Sequence, residues 1–167
     1  MEHSHEYLVE LLQTLAMQGY RFTTVTPVTH ERFLARGLVG KDLRDIFGWN
    51  LPFKMSALSP LLHNLMTEAG LLQVCGDYMK SKVRVSSLAE DLFLHSAFPT
   101  TASNAVFFGP DTYRFSRFIR HTLQSEKISV LPASINAGQP IRVLDIGCGS
   151  GAGGVVAARS LPGCVVE

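Results

Sequence analysis

Ile141-Arg142-Val143-Leu144-Asp145-Ile146-Gly147-Cys148-Gly149-Ser150-Gly151 is the most informative run of the chain. It predicts a short buried strand over 142–146, a glycine turn over 147–151 and a helix over 152–159. Pro162-Gly163 stops that helix, and Cys164-Val165-Val166 opens a further apolar strand. Strand, helix and strand in this order begin a βαβ unit, and such units build parallel sheets with ligands at the carboxyl ends of their strands. Glycines permit the positive φ angles of a tight strand-to-helix turn, and their missing Cβ atoms let a ligand approach the backbone. Backbone N–H groups at the helix start can then meet a carboxylate or a phosphate.

The loop alone suits several nucleotide enzymes, since Gly147-Cys148-Gly149-Ser150-Gly151-Ala152 also satisfies a loose G-x-G-x-x-A pattern. Asp145 separates the readings. It stands two residues before Gly147, where a dinucleotide fingerprint usually carries an apolar residue. A carboxylate buried there needs partners, and loop N–H groups or the ammonium end of an amino-acid-like ligand supply them. The run from Val143 to Gly151 resembles motif I of the S-adenosylmethionine-dependent methyltransferases of the Rossmann-like class. The resemblance implies S-adenosyl-L-methionine as cofactor, with Gly147, Cys148, Gly149 and Gly151 wrapping its methionine part and Asp145 orienting it. It also makes Glu167, an acidic residue near the end of the second strand, the candidate for the ribose hydroxyls.

Upstream, Phe107-Phe108-Gly109-Pro110-Asp111-Thr112-Tyr113-Arg114-Phe115 resembles a segment that precedes motif I in bacterial small-domain and release-factor-methylase-like methyltransferases. That resemblance implies Phe108 and Asp111 beside the cofactor. The alternative is an ordinary turn and helix cap, with Asp111 as the N-cap of a helix carrying Tyr113, Phe115, Phe118, Ile119 and Leu123. The specific motifs cover the latter third of the chain. The Asn/Asp-Pro-Pro-Tyr type motif of amino-nitrogen methylation is absent from the sequence, and no catalytic base can be named.

The front of the chain reads as helical. Leu8, Leu11, Leu12, Leu15 and Ala16 recur at helical spacing between a Ser4 cap and Gly19. A second helix is predicted from Thr29 to Gly37, and a short third carries Leu43, Ile46 and Phe47 before Gly48 stops it. A fourth starts at Ser59-Pro60 and ends at Gly70. Strands are predicted over 71–74 and 78–85 around Gly76-Asp77. The fold class expected is α/β overall: a mainly helical, winged-helix-like N-terminal module over 1–98, then the truncated start of a Rossmann-like methyltransferase domain over 141–167. Residues 99–140 are expected to supply a linker and the helix before motif I, with a second loose stretch over 125–140. Lys80, Lys82 and Arg84 alternate along the second strand. They read as a solvated face rather than a nucleic-acid wing, because the helix before them has no Lys or Arg to reach a phosphate.

Composition narrows the function classes. The 167 residues are 46% apolar and 17% charged, which excludes intrinsic disorder. A net charge of +1 excludes a polyanion-directed protein on bulk charge alone. No apolar run reaches the length of a membrane span, and the N-terminus lacks a signal-peptide layout. Cys75, Cys148 and Cys164 are too few and too scattered for a disulfide framework or a zinc site, so no metal and a reduced, cytoplasmic setting are expected. The chain stops at Glu167 within an apolar run and reads as the front of a longer protein, inactive by itself. The function expected is methyl transfer from S-adenosyl-L-methionine to a protein, RNA or small-molecule acceptor, with no membrane partner and a homodimer through the N-terminal module. Two alternatives stand beside it: a non-catalytic winged-helix binding or dimerisation module, and a fragment of an NAD-dependent oxidoreductase.

Overall fold

Helix α1 (Glu2–Met17) buries Leu11 and Leu15 completely, as their four-residue spacing on one face requires. The computed structural model describes residues 2–125 and 140–167, and the chain divides into two units, Met1–Phe108 and Gly109–Glu167. The loose stretch expected over 125–140 falls almost wholly outside the described residues. Helices coexist with small sheets, so the class is α/β in the general sense. Among the described residues no helix is long and apolar enough to cross a membrane.

In the first unit α1 begins ahead of Ser4, which therefore lies inside its first turn rather than at its cap. Helix α2 (Pro27–Leu34) starts two residues earlier than predicted. Thr26 caps it through Oγ1, which accepts from the Thr29 N–H at 3.4 Å, and Pro27 fits the first helical position. Arg44–Gly48 forms one π-helical turn and Met55–Ala57 one 3-10 turn. Helix α3 (Pro60–Glu68) is capped by Ser59 Oγ, which accepts from the Leu62 N–H at 3.4 Å. The core joins Leu11 and Leu15 to Phe22, Phe47, Phe53, Leu62 and Met66. Gly48 is central to it: a Cβ there would stand 2.2 Å from Phe22 Cδ2.

Two antiparallel hairpins follow. Strands β1 (Leu72–Cys75) and β2 (Tyr78–Ser81) pair around Gly76-Asp77, and β3 (Val83–Leu88) and β4 (Asp91–Ser96) pair around Ala89-Glu90. The single strand expected over 78–85 is thus two. Ser81 Oγ donates to the Val83 carbonyl and accepts from the Val83 N–H, at 2.7 and 3.2 Å, while the Lys82 N–H turns to the Leu71 carbonyl at 2.8 Å. The break removes the basic face expected from Lys80, Lys82 and Arg84, because Arg84 is only 4% exposed and lies on β3. Asn50 (φ +57°, fully buried) ties the turn before Phe53 to both neighbours. Its Nδ2 donates to the Ser81 carbonyl at 2.8 Å, and its Oδ1 accepts from the Phe98 N–H at 3.3 Å. After residues 99–104 the chain returns to β4 at Val106, whose carbonyl accepts from the Ser96 N–H at 3.0 Å. The first unit therefore runs ten residues beyond the predicted boundary at 98 and closes on Phe108.

The second unit contains helix α4 (Pro110–Leu123), strand β5 (Arg142–Val143), helix α5 (Ala152–Ser160) and strand β6 (Val165–Val166). Strands β5 and β6 are parallel, and the ladder runs beyond their formal ends. The Val165 N–H donates to Ile141, the Glu167 N–H to Val143 and the Asp145 N–H to Glu167, each at 2.8 Å to the carbonyl. Helix α5 buries Ala152, Gly154, Val156 and Ala157 and packs with α4.

Candidate cofactor site

The loop between β5 and α5 alternates in conformation. Gly147, Gly149 and Gly151 have φ of +77°, +53° and +75°. A side chain in this left-handed region costs roughly 1–2 kcal/mol per residue, which explains glycine at every second position. A Cβ on Gly147 or Gly151 would meet nothing within 4 Å, so both positions face open space. The Gly151 N–H closes the turn onto the Cys148 carbonyl at 2.8 Å, and Gly151 is the N-cap of α5. Cys148 is an exposed free thiol on the same loop.

Asp145 is half-buried where β5 ends. Its Oδ2 accepts from the Gly154 N–H at 2.9 Å, which ties the carboxylate to the first turn of α5, where the helix dipole favours negative charge. The Gly153-Gly154 pair makes this approach feasible. A Cβ on Gly153 would come within 3.0 Å of Asp145 Oδ2, and one on Gly154 within 3.0 Å of Val166 Cγ1. Glu167 lies beside Asp145 through the ladder hydrogen bond between their backbones. Its carboxylate is gripped by Arg142, with Nη2 at 2.7 Å from Oε1 and 2.6 Å from Oε2, and Nε at 3.1 Å from Oε1. The two side chains are 71% and 47% exposed, so solvent screens the pair.

Asp145, Gly147, Cys148, Gly149, Gly151 and Glu167 thus share one strand–loop–helix–strand unit. Asp111 is in the same half of the chain, in the first turn of α4, with a side chain 82% exposed and 3.8 Å from Arg114. It is not the N-cap. Pro110 starts the helix, Gly109 takes the cap position, and Thr112 Oγ1 accepts from the Gly109 N–H at 3.2 Å. Phe108 belongs to the first unit, where it is fully buried and stacked on Phe93 and His95 at centroid distances of 5.6 and 5.4 Å. Packing within that unit accounts for it.

The second unit also holds a mainly apolar hollow of about 260 Å³ that the sequence reading missed. Phe115, Phe118 and Ile119 of α4 line it opposite Leu144, Asp145 and Gly153. The signals available for it were the three- and four-residue apolar spacing of α4 and the glycine pair directly after the loop.

A second unforeseen constellation lies inside the first unit. The Arg84 guanidinium donates to His30 Nδ1 at 3.1 Å and to His95 Nδ1 at 3.5 Å. Both rings must then offer a lone pair, so both are neutral. His95 Nε2–H donates to Ser86 Oγ at 2.8 Å, and Ser86 Oγ hydrogen-bonds to Thr24 Oγ1. Burial, and then the nearby Arg84 charge, lower the pKa of His30 to about 4 and that of His95 to about 3. The Ser86–His95 pair is no nucleophile in waiting. Ser86 is fully buried, and a guanidinium occupies the place where a catalytic histidine needs a carboxylate. Among the described residues no group of three or more His, Cys, Asp or Glu side chains is arranged to hold a metal. No protein-family model matches the chain, and no curated protein is significantly similar to it.

Proposed function

We propose that the second unit is the opening of a Rossmann-like domain that binds S-adenosyl-L-methionine for methyl transfer, preceded by a winged-helix-like module. The observation that carries this reading is the glycine loop itself. It has three alternate residues at positive φ, two of them facing open space, between a strand ending in a carboxylate and a helix N-terminus. These residues fit the cofactor. Asp145 Oδ2 is held by the Gly154 N–H, so the carboxylate stands fixed at the strand end, with a second oxygen to receive an ammonium group. The glycines leave room for the methionine chain against the backbone. Glu167 is the residue to meet ribose hydroxyls, once it is released from Arg142.

S-adenosylmethionine bound at this loop would supply an electrophilic sulfonium methyl group to an acceptor atom, with S-adenosylhomocysteine as the leaving group. Alignment of donor and acceptor contributes most of the rate in such a displacement, which gives loop geometry more weight than any acid or base. The acceptor is a protein, an RNA or a small molecule, and the setting is cytoplasmic. Calorimetric titration with S-adenosylhomocysteine, S-adenosylmethionine and NAD tests the reading. Saturable binding of the first two is expected. Asp145→Ala, which removes the orienting carboxylate, and Gly149→Val, which puts a branched side chain at a left-handed position, should each weaken binding tenfold or more. A preference for NAD would replace this reading with the oxidoreductase one.

A further inference from the structure

The hollow of about 260 Å³ in the second unit has a single charged group in its lining, the Asp145 carboxylate. Its other lining residues are apolar or glycine apart from Thr122, and none is Lys or Arg. Asp145 Oδ2 accepts from the Gly154 N–H at 2.9 Å, and among the described residues no cation pairs with the carboxylate. Phe115, Phe118 and Leu144 border the hollow and are 52%, 64% and 68% exposed. Ring and carboxylate meet at Gly153, where a Cβ would stand 3.3 Å from Phe115 Cε1 and 3.0 Å from Asp145 Oδ2. Aromatic rings and a carboxylate around one space attract an organic cation. Hydrocarbon alone would cover the rings but bury a carboxylate oxygen with no donor, which is costly. An apolar body with one ammonium group satisfies both. At about 260 Å³ the hollow lies just below the about 300–1,000 Å³ of drug-sized pockets, so its ligand is compact.

We propose that this hollow binds a compact apolar amine, its ammonium on Asp145 and its hydrocarbon body against Phe115, Phe118 and Leu144. Asp145 lines the hollow and also precedes the glycine loop by two residues. On the methyltransferase reading, on which this clause rests, the amine and the ammonium of the cofactor share that carboxylate. One negative charge cannot neutralise two cations, so each ligand weakens the binding of the other. The amine is then a small-molecule regulator of the cofactor site.

The test is amide NMR of the full ¹⁵N-labelled chain titrated with phenethylamine, without cofactor. Its neutral analogue phenethyl alcohol and its anionic analogue phenylacetate are titrated in parallel. The amine should give saturable shifts on the amides of Leu144, Asp145, Gly153 and Gly154, with affinity about tenfold above that of the alcohol. Asp145→Asn, which keeps the shape and the acceptor for the Gly154 N–H, should remove that preference. Phe118→Leu, at an exposed position, should weaken the amine about threefold and the alcohol less. Circular dichroism of each variant reports whether the helices still fold. The proposal is overturned if the amine leaves these amides unmoved at about 10 mM, or if the alcohol or phenylacetate binds as tightly. It is also overturned if the folded Asp145→Asn variant keeps the preference. Titration with S-adenosylhomocysteine, with and without saturating amine, keeps the two claims apart. Weaker binding in the presence of the amine is expected, and equal binding overturns the shared carboxylate. Amine binding without S-adenosylhomocysteine binding overturns the methyltransferase reading alone, and the reverse overturns the amine site alone.

Discussion

Gly48 shows how one missing methyl group holds a core together. Phe22 is 4% exposed, meets Trp49 edge-on at 5.3 Å, and passes so close to Gly48 that any Cβ would overlap its ring. Gly48→Ala should therefore destabilise the first unit by about 1–3 kcal/mol through overpacking, and Phe22→Leu in the same chain should recover part of the loss. Urea denaturation of the single and double variants checks both. Gly48 was legible in the sequence only as a helix stop, because the ring it admits is 26 residues away. Asn50 was invisible for the same reason, since its partners Ser81 and Phe98 are far along the chain.

At the scale of elements, signals lying within a few residues were readable, and those needing a distant partner were not. Helix α3 announced itself through Ser59-Pro60 and Gly70, and β1–β2 through Gly76-Asp77. The loop of the candidate site was legible from its three glycines. Asp145's tie to Gly154 was not, because it depends on how α5 returns to β5. The β3–β4 hairpin escaped for two reasons. Its buried positions include Arg84, Ser86 and His95, which invert the expected apolar alternation, and its turn uses Ala89 at φ +52° where glycine or asparagine is usual. The second reason yields a prediction. Ala89→Gly relieves the left-handed strain and, after the entropy cost of glycine, should stabilise the hairpin by about 0.5–1 kcal/mol. Thermal melting checks it, with a rise in Tm expected and a fall contradicting the turn geometry.

For the whole molecule, the Arg84 cluster makes stability depend on pH. In the unfolded chain His30 and His95 take up protons below 6.5, whereas in the fold they do so only near 4 and 3. Their contribution is therefore complete above 6.5 and is lost as the pH falls from 6.5 toward 3. It is worth on the order of 3 kcal/mol per imidazole, since protonation must occur in a buried site beside a guanidinium. Melting temperatures should fall steeply between about pH 7 and pH 4, and a His95→Gln variant should flatten the profile. A wild-type Tm constant over that range would contradict the neutral-imidazole assignment.

On the proposed function, the 147–151 loop receives the methionine end of S-adenosylmethionine. Amide NMR of the ¹⁵N-labelled chain during titration with S-adenosylhomocysteine tests it most directly. Saturable shifts are expected, concentrated on the amides of Gly147, Gly149, Gly151 and Ala152, with Asp145 following, and none of comparable size from NAD. Unmoved loop amides at saturating ligand, or larger shifts with NAD, would contradict it.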